Sequence, residues 1–278
     1  MKKIFFCLAL TVIFAIGGMA TSNPVFAQDS DVVYDVPIIM YHSTFKKVSS
    51  PHCITPNNLE KDLVYLKESG YTTIGINDLI AFQEDGKLLP DKPIILTFDD
   101  GYENNYKYAF PLLKKHNMKA VFSVVGRLID ENYDNSGNLK SKGAHVSYEQ
   151  IKEMVDSGHV EIQNHTYDMH NLKGGRISMK QRKGESNQDY ENYITKDLLK
   201  LEKNLKDNLG ISCNAVTFPF GDYSHQTFDI LKKLGFKAAL TCNSGMNRIS
   251  RDSDLFRLKR FTHPSTPAGA AYFAKYGL

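Results

Sequence analysis

The sequence predicts an α/β protein, a single distorted (β/α) barrel of about seven parallel strands. Short apolar runs alternate with amphipathic segments from Val36 to Phe261, and this alternation is typical of right-handed βαβ units. The run at 93–98 is apolar almost throughout, which suits a parallel strand that is covered on both faces. About seven such strands in roughly 240 residues favour a barrel over an open sheet.

Local signals define the individual elements. Thr55 and Pro56 open a helix as N-cap and first helical residue, and Gly210 ends a long charged helix over 189–208. Two polar stretches, 130–143 and 174–188, are predicted to be surface loops that border a substrate groove. Strands are predicted at 36–41, 71–74, 93–98, 119–125, 159–163, 216–220, 237–242 and 255–261. The other helices are predicted near 77–84, 107–116, 148–157 and 225–234.

The N-terminal residues predict export. Lys2 and Lys3 precede an apolar run at 4–16, and residues 25–27 end on a small residue, so 1–27 is predicted to be a signal peptide. A retained membrane anchor is the alternative, although the run is shorter than the about 20 residues of a spanning helix. Residues 28–35 are predicted to be a linker and 36–278 one domain. We expect a secreted protein, extracellular or cell-wall associated, without membrane insertion after cleavage.

Charge and cysteine content exclude several classes of protein. The chain has 34 Lys and Arg against 31 Asp and Glu, and Lys2 and Lys3 would leave with the leader, so the mature chain is nearly neutral. That balance does not predict a nucleic-acid partner and suits a neutral polymer. Cys213 and Cys242 are expected at opposite ends of neighbouring strands, so no disulfide framework is predicted. We expect a monomer.

Two short stretches carry the chemistry. Asp99 and Asp100 directly follow the apolar strand at 93–98, and His165 and His170 follow the strand at 159–163. Parallel strands place their carboxyl ends at one edge of a sheet, where these side chains can meet. Two carboxylates and two imidazoles can hold a divalent metal and leave one acid for proton transfer, as in a metal-dependent hydrolase. A helix N-cap beside Gly101 is the alternative for the acidic pair.

Two further segments end predicted strands. His42 is a candidate general acid because the pKa of an imidazole can lie near neutrality, although by itself it is only a loop histidine. Pro219, Phe220 and Tyr223 could offer backbone amides to an oxyanion and an aromatic wall to a sugar ring, or form an ordinary β-to-α turn. The ligand set suits zinc, and also accepts iron, cobalt or nickel.

At these residues the chain resembles the polysaccharide deacetylases of carbohydrate esterase family 4 (NodB-like), which carry a Thr-Phe-Asp-Asp-Gly motif and a His-Thr motif with a second His. The resemblance covers about 36–264. It implies a distorted barrel, one divalent metal and hydrolysis of the N-acetyl group from N-acetylglucosamine (GlcNAc) units of a polymer. The Met-Tyr-His segment, the five-residue histidine spacing and the aromatic-Pro-aromatic-Gly segment are most similar to short secreted poly-β-1,6-GlcNAc deacetylases of biofilm matrix.

The resemblance also implies roles for single residues. Asp99 would be the general base and His42 the general acid, with His263 as second choice for the acid. Many relatives have an Arg that orients the base two residues before the motif's Pro; Thr217 stands there, and Arg260 is the candidate substitute. The residues expected to bind the metal are Asp100, His165 and His170.

Alternatives remain open at this point. Peptidoglycan or chitin oligomers could replace the β-1,6 polymer, because the polar loops that would select the substrate are irregular. A carbohydrate-binding protein on an inactive barrel is the alternative of another class, since the base-orienting Arg is missing from its usual place. A cytoplasmic sugar-phosphate enzyme conflicts with the leader and with the lack of a Gly-rich phosphate loop. The glycoside-hydrolase-like domain of some relatives is absent from the sequence, so no second activity is expected.

Overall fold

The computed structural model describes residues 32–48, 50–134, 136–138, 140, 144–171 and 174–278. The predicted signal peptide, residues 28–31 and part of the predicted loop at 130–143 lie outside the described residues. The strands are β1 (Tyr34–Val36), β2 (Ile38–Tyr41), β3 (Ser43–Thr44), β4 (Cys53–Ile54), β5 (Thr72–Thr73), β6 (Pro93–Phe98), β7 (Ala120–Val124), β8 (Val160–Asn164), β9 (Ala215–Thr217), β10 (Ala238–Leu240), β11 (Asn247–Ile249) and β12 (Phe261–Thr262). The α-helices are α1 (Pro56–Glu68), α2 (Ile76–Glu84), α3 (Phe110–His116), α4 (Gly126–Asp130), α5 (Tyr148–Asp156), α6 (Asn187–Leu209), α7 (His225–Lys233) and α8 (Ala270–Phe273).

A curled parallel sheet of seven strands forms the centre of the fold, in the order β10-β9-β8-β7-β6-β2-β12, and β5 also pairs with β6. Helices between successive strands cover the sheet. This arrangement confirms the predicted distorted (β/α) barrel. The parallel strands direct their carboxyl ends to one edge, which therefore gathers the loops after β2, β6, β8, β9 and β10.

One segment links the two edges of the sheet. Leu258 bridges Leu240 at the end of β10, and three residues later β12 pairs with β2. The Arg260 amide also donates to the Asn243 carbonyl at 2.8 Å. The segment at 258–262 thus contacts both edges and carries the side chain of Arg260 between them.

Both faces of the sheet are buried, which explains the near-continuous apolar strands. Leu96 and Phe98 of β6 belong to a core beneath α1, α3, α5 and α6, whereas Ile95 belongs to a second core beneath α2. Among the described residues, no helix is long and apolar enough to cross a membrane.

Most predicted elements are present, and Thr55 caps α1 by accepting a hydrogen bond from the Asn58 amide. The strand predicted at 255–261 is wrong, because residues 255–257 form a 3-10 turn and pairing is limited to the Leu258 bridge and to Phe261–Thr262. The predicted linker is shorter than expected, since β1 begins at Tyr34, where its ring packs edge-on against Phe82. The helix predicted at 107–116 begins instead as a π-helix at Asn105–Ala109.

Candidate metal centre and active site

Three of the predicted residues converge at the carboxyl edge of the sheet. The ligand atoms of Asp100, His165 and His170 all lie within 4.8 Å of one another. Asp100 Oδ1 is 3.4 Å from His165 Nε2 and 3.2 Å from His170 Nε2. The sequence separates Asp100 from the histidines by more than sixty residues, so the parallel order of β6, β7 and β8 creates the cluster.

Strained backbone aims these side chains. Asp100, Thr166 and Phe220 have φ values of 71°, 70° and 57°, in the left-handed region that non-glycine residues rarely adopt. All three lie where a strand ends at the site. The backbone therefore turns at Asp100, directly after Asp99.

The histidine segment is held on both sides. His165 Nδ1 lies 2.8 Å from the Thr217 carbonyl of β9, and this contact leaves Nε2 facing Asp100. Asp197, buried on α6, accepts hydrogen bonds from the amides of Tyr167 and Asp168 at 2.7 and 2.9 Å. The turn between the two ligand candidates thus rests on a helix that the sequence did not connect with the site.

The cluster fits a divalent cation. Asp100 Oδ1 is buried and accepts no hydrogen bond from any described residue, while two imidazole Nε2 atoms face it. Burial alone would raise the pKa of Asp100, but the imidazoles of His165 and His170 outweigh burial and lower that pKa. An anionic oxygen beside two imidazole nitrogens is a donor set for zinc and related metals, so the residues present fit the predicted ion.

Asp99 turns to a different partner. Its Oδ1 accepts a hydrogen bond at 2.8 Å from Nη1 of Arg260, whose side chain is fully buried. Burial would raise the pKa of Asp99, but the Arg260 guanidinium, together with the imidazoles of His165 and His42, outweighs burial and lowers that pKa. Arg260 is itself fixed by a bond from Nε to the Thr241 carbonyl at 2.8 Å. The guanidinium therefore approaches from the segment that closes the sheet, whereas Thr217 lies at the place where many relatives carry the Arg.

His42 lies near the acidic pair on the loop after β2. Its Nδ1 is buried and has no hydrogen-bond partner among the described residues. Burial lowers the pKa of His42, and the negative charges of Asp99 and Asp100 partly oppose that effect. Its ring centroid is 5.1 Å from that of His52. The imidazole therefore lies close enough to both carboxylates to interact with their charges.

His263 has a different environment. Its side chain is fully buried, with Nε2 3.0 Å from Asp62 Oδ2 and Nδ1 2.6 Å from the Pro264 carbonyl. The ring also stacks on Tyr41 and lies 3.9 Å, centroid to centroid, from Tyr272. Both ring nitrogens lie within 3.0 Å of protein oxygens, although the contact of Nε2 with Asp62 lacks hydrogen-bond geometry. His263 is buried whereas His42 is partly exposed, and this difference favours His42 over His263 as the acid.

The segment after β9 contributes one exposed ring. Phe220 is 44% exposed, and its ring centroid lies 4.3 Å from that of His170. Pro219 is buried, and the Tyr223 ring packs against Phe218 and Phe228. Phe220 is therefore the member of this predicted set that lines the site, whereas the contacts of Tyr223 favour packing.

The family follows from comparison with known proteins. A family model described as polysaccharide deacetylase matches residues 86–239, a range that contains the acidic pair and both histidines of the candidate metal site. The chain belongs to the polysaccharide deacetylase family. This result confirms the predicted resemblance, and such enzymes hydrolyse the amide bonds of N-acetylglucosamine polymers.

Two relatives of this deacetylase are named for the same polymer. The chain is 28% identical over 200 residues to the poly-β-1,6-N-acetyl-D-glucosamine N-deacetylase of Staphylococcus aureus, covering 72% of this chain and 64% of that protein. It is 26% identical over 224 residues to the enzyme of the same name from Escherichia coli, covering 74% of this chain but 33% of that protein. The chain thus spans less than two thirds of these relatives.

A solved structure shows the same fold. The Streptococcus pyogenes deacetylase PplD in complex with acetate aligns with a TM-score of 0.72 at 23% identity, covering 89% of this chain and 100% of that one.

Two residues beside the candidate site were not predicted from the sequence, Asn105 and Asp197. Both act on backbone groups of distant loops, and no local pattern signals such a contact.

Proposed function

We propose that the protein is an exported, metal-dependent N-deacetylase that removes acetyl groups from GlcNAc units of poly-β-1,6-GlcNAc. The observation that carries the proposal is the cluster of Asp100, His165 and His170, with Asp99 beside it and its carboxylate paired to Arg260. Among the described residues, the Asp99 carboxylate pairs with the fixed guanidinium of Arg260 and lies next to the three proposed metal ligands. This arrangement suits hydrolysis by an activated water.

The relatives support the choice of polymer. The S. aureus and E. coli proteins bear the name of the β-1,6 deacetylase, and a neutral polymer agrees with the small net charge of this chain. Peptidoglycan and chitin oligomers remain the alternative substrates, because all three contain the same acetamide group.

Asp100, His165 and His170 would hold one divalent ion, with zinc as the proposed metal and cobalt, nickel or iron as substitutes. Bound there, the ion would supply Lewis acidity, polarising the acetamide carbonyl and acidifying a water molecule. Three protein ligands leave coordination positions free, as catalytic sites require.

Asp99 is the proposed general base. Arg260 holds one oxygen of its carboxylate, so the other oxygen can take the proton from the attacking water. Because the guanidinium stabilises the ionised form, Asp99 is ready as a proton acceptor when the substrate binds. Oxyanion stabilisation is assigned to a backbone amide near Phe220.

His42 is the proposed general acid. The amine that leaves an acetamide is a poor leaving group, so the C–N bond breaks readily only when the nitrogen gains a proton. Nδ1 of His42 has no partner among the described residues and lies in a buried environment close to the reacting carboxylates. Phe220, lying against His170, would form an apolar wall for the sugar ring.

We further propose that residues 1–27 direct export, that 36–278 form the deacetylase domain, and that the mature protein is a monomer outside the cell or at the cell wall. The inactive, binding-only barrel loses its main support, because a buried Arg does reach the base. No specific observation favours that function.

Acetate release by metal-reconstituted protein tests the proposal. We expect release from β-1,6-GlcNAc oligomers, loss of release with a chelator, and recovery when Zn²⁺ is restored. Peptidoglycan and chitin oligomers serve as parallel substrates. Release from one of those polymers alone would contradict the polymer assignment, and metal-loaded protein without release from any would contradict the enzymatic function.

A further inference from the structure

A buried asparagine joins the metal-centre motif to the loop that carries His42. Asn105 lies five residues beyond Asp100 and is fully buried. Its Nδ2 donates a hydrogen bond to the backbone carbonyl of His42 at 2.6 Å. The two residues are 63 positions apart in the chain, so this bond is a tertiary contact between two predicted parts of the site.

The neighbouring asparagine makes a second contact of the same kind. Oδ1 of Asn104 accepts a hydrogen bond from the Thr44 amide at 3.1 Å. Together the two side chains hold the backbone at His42 and at Thr44, on either side of Ser43. The loop is thus braced at two points against the segment that follows Asp99 and Asp100.

The local helix geometry is unusual at this point. Residues Asn105–Ala109 form a π-helix, in which the Phe110 amide bonds to the Asn105 carbonyl. Such turns are rare and are enriched at functional sites. Oδ1 of Asn105 is buried and has no partner among the described residues, which carries a desolvation cost. The fold thus tolerates a rare turn and an unpaired buried oxygen at Asn105. In the described structure, the only hydrogen bond of the Asn105 side chain is the one to the His42 carbonyl.

From these contacts we infer that Asn105 is a positioning residue for His42 and fixes the distance of its imidazole from the scissile nitrogen. The inference rests on the proposed function, in which His42 protonates the leaving amine. Asp99 and Asp100 lie a few residues before Asn105, so one rigid turn would hold base, metal ligand and acid in fixed relation. A displacement of about 1 Å in such a group can lower the rate about 100-fold.

The test compares an amide with an ester. Hydrolysis of a β-1,6-GlcNAc oligomer needs a proton on the leaving amine, whereas 4-nitrophenyl acetate expels a stable phenolate without one. In zinc-loaded Asn105→Ala we expect kcat for the amide to fall about 10- to 100-fold, while kcat for the ester stays within about 3-fold of wild type. KM for the oligomer and zinc content should stay near wild type. Asn105→Leu, which keeps the number and branching of the side-chain heavy atoms, should behave alike if the Ala variant folds poorly.

Two variants complete the design. His42→Ala should show the same selective loss, and the double variant His42→Ala/Asn105→Ala should be no slower on the amide than His42→Ala. Asn58→Ala removes an amide that donates to the Ser265 carbonyl at 3.1 Å, and we expect it to keep the wild-type amide-to-ester ratio.

Equal losses on amide and ester in both Asn105 variants would overturn the positioning role, because a purely structural defect lowers the two rates together. Unchanged rates on both substrates would overturn it as well. A wild-type protein without amidase activity would refute the proposed function itself, whereas an active wild type with these results refutes only the role of Asn105.

Discussion

Arg260 Nη1 lies 2.8 Å from Asp99 Oδ1, although 161 residues separate the two in the chain. The contact exists because the segment at 258–262 touches both edges of the sheet and brings the guanidinium into its centre. Both side chains are almost completely buried. Despite burial, the pKa of the carboxylate proposed as general base is lowered, and the Arg260 guanidinium makes the largest contribution to that lowering.

Removal of that cation should destabilise the protein and inactivate it. We expect Arg260→Met to lower the free energy of unfolding by about 3–5 kcal/mol, since it leaves a buried carboxylate without a partner. Denaturant unfolding of metal-free protein measures the loss. In Arg260→Met/Asp99→Asn the uncompensated charge is gone, so the double variant should recover at least about 1 kcal/mol. A double variant as unstable as Arg260→Met would contradict the pairing.

Zinc retention by single variants should distinguish the proposed metal ligands from the proposed general base. His165→Gln and His170→Gln should each lose most zinc after dialysis, whereas Asp99→Asn should retain it and lose acetate release. Because an ion that binds only the folded state stabilises it, zinc at 100 times its Kd should add about 2.7 kcal/mol to wild type and to Asp99→Asn. Elemental analysis and thermal unfolding check both statements. Equal zinc loss in all three variants would show that the roles are wrongly divided.

The exposed ring of Phe220 should contribute to kcat/KM for the substrate and little to the stability of the fold. We expect Phe220→Ala to lower kcat/KM for β-1,6-GlcNAc oligomers about 5-fold, because it removes an aromatic surface worth about 1 kcal/mol. Leu199→Ala on α6 is the matched control, since Leu199 is also 44% exposed. Steady-state acetate release decides the matter: equal kcat/KM values for the two variants would remove Phe220 from the substrate site.

Gly221 should not tolerate a side chain. Its φ is +71°, and a Cβ there would lie 2.7 Å from the Cβ of Cys242. Gly210 has the same φ with nothing within 4 Å, so Gly210→Ala measures the conformational cost alone, about 1 kcal/mol. We expect Gly221→Ala to cost at least about 1 kcal/mol more and to reduce activity, because Phe220 precedes it. Equal unfolding free energies would mean that the site relaxes around the new methyl group.

Stability should fall with rising pH because of Asp197. Burial raises the pKa of Asp197 to about 6, and the amides of Tyr167 and Asp168 only partly oppose burial. A folded-state pKa above the unfolded value of about 3.8 gives a stabilising contribution that is complete below pH about 4 and is lost as pH rises through about 6. Between pH 4 and 7, wild type should therefore lose up to about 3 kcal/mol relative to Asp197→Asn.

Urea unfolding at several pH values measures this difference, with a chelator present throughout so that metal binding adds no pH dependence of its own. The comparison concerns the slopes of unfolding free energy against pH, because the Asp197→Asn variant also loses one backbone hydrogen bond at every pH. Parallel stability curves for the two proteins would show that Asp197 does not titrate in this range.

The sequence by itself determined the barrel and predicted the ligand set. Apolar strands such as β6 and a capped helix such as α1 are set by side chains close in sequence, and the spacing of Asp100, His165 and His170 at strand ends predicts their convergence. The antiparallel pair of β1 and β11 escaped prediction, because three-residue strands depend on a distant partner rather than on periodicity.

Only the tertiary structure decided which residues position the proposed base, acid and metal ligands. Arg260 reaches Asp99 through the closure of the sheet, Asn105 reaches the His42 carbonyl across 63 positions, and Asp197 reaches the histidine turn from α6. The contacts of Asn105 and Asp197 are to backbone groups, which every residue carries, so no sequence pattern marks them. Local sequence selects the side chains that do chemistry, and the meeting of distant segments selects those that orient them.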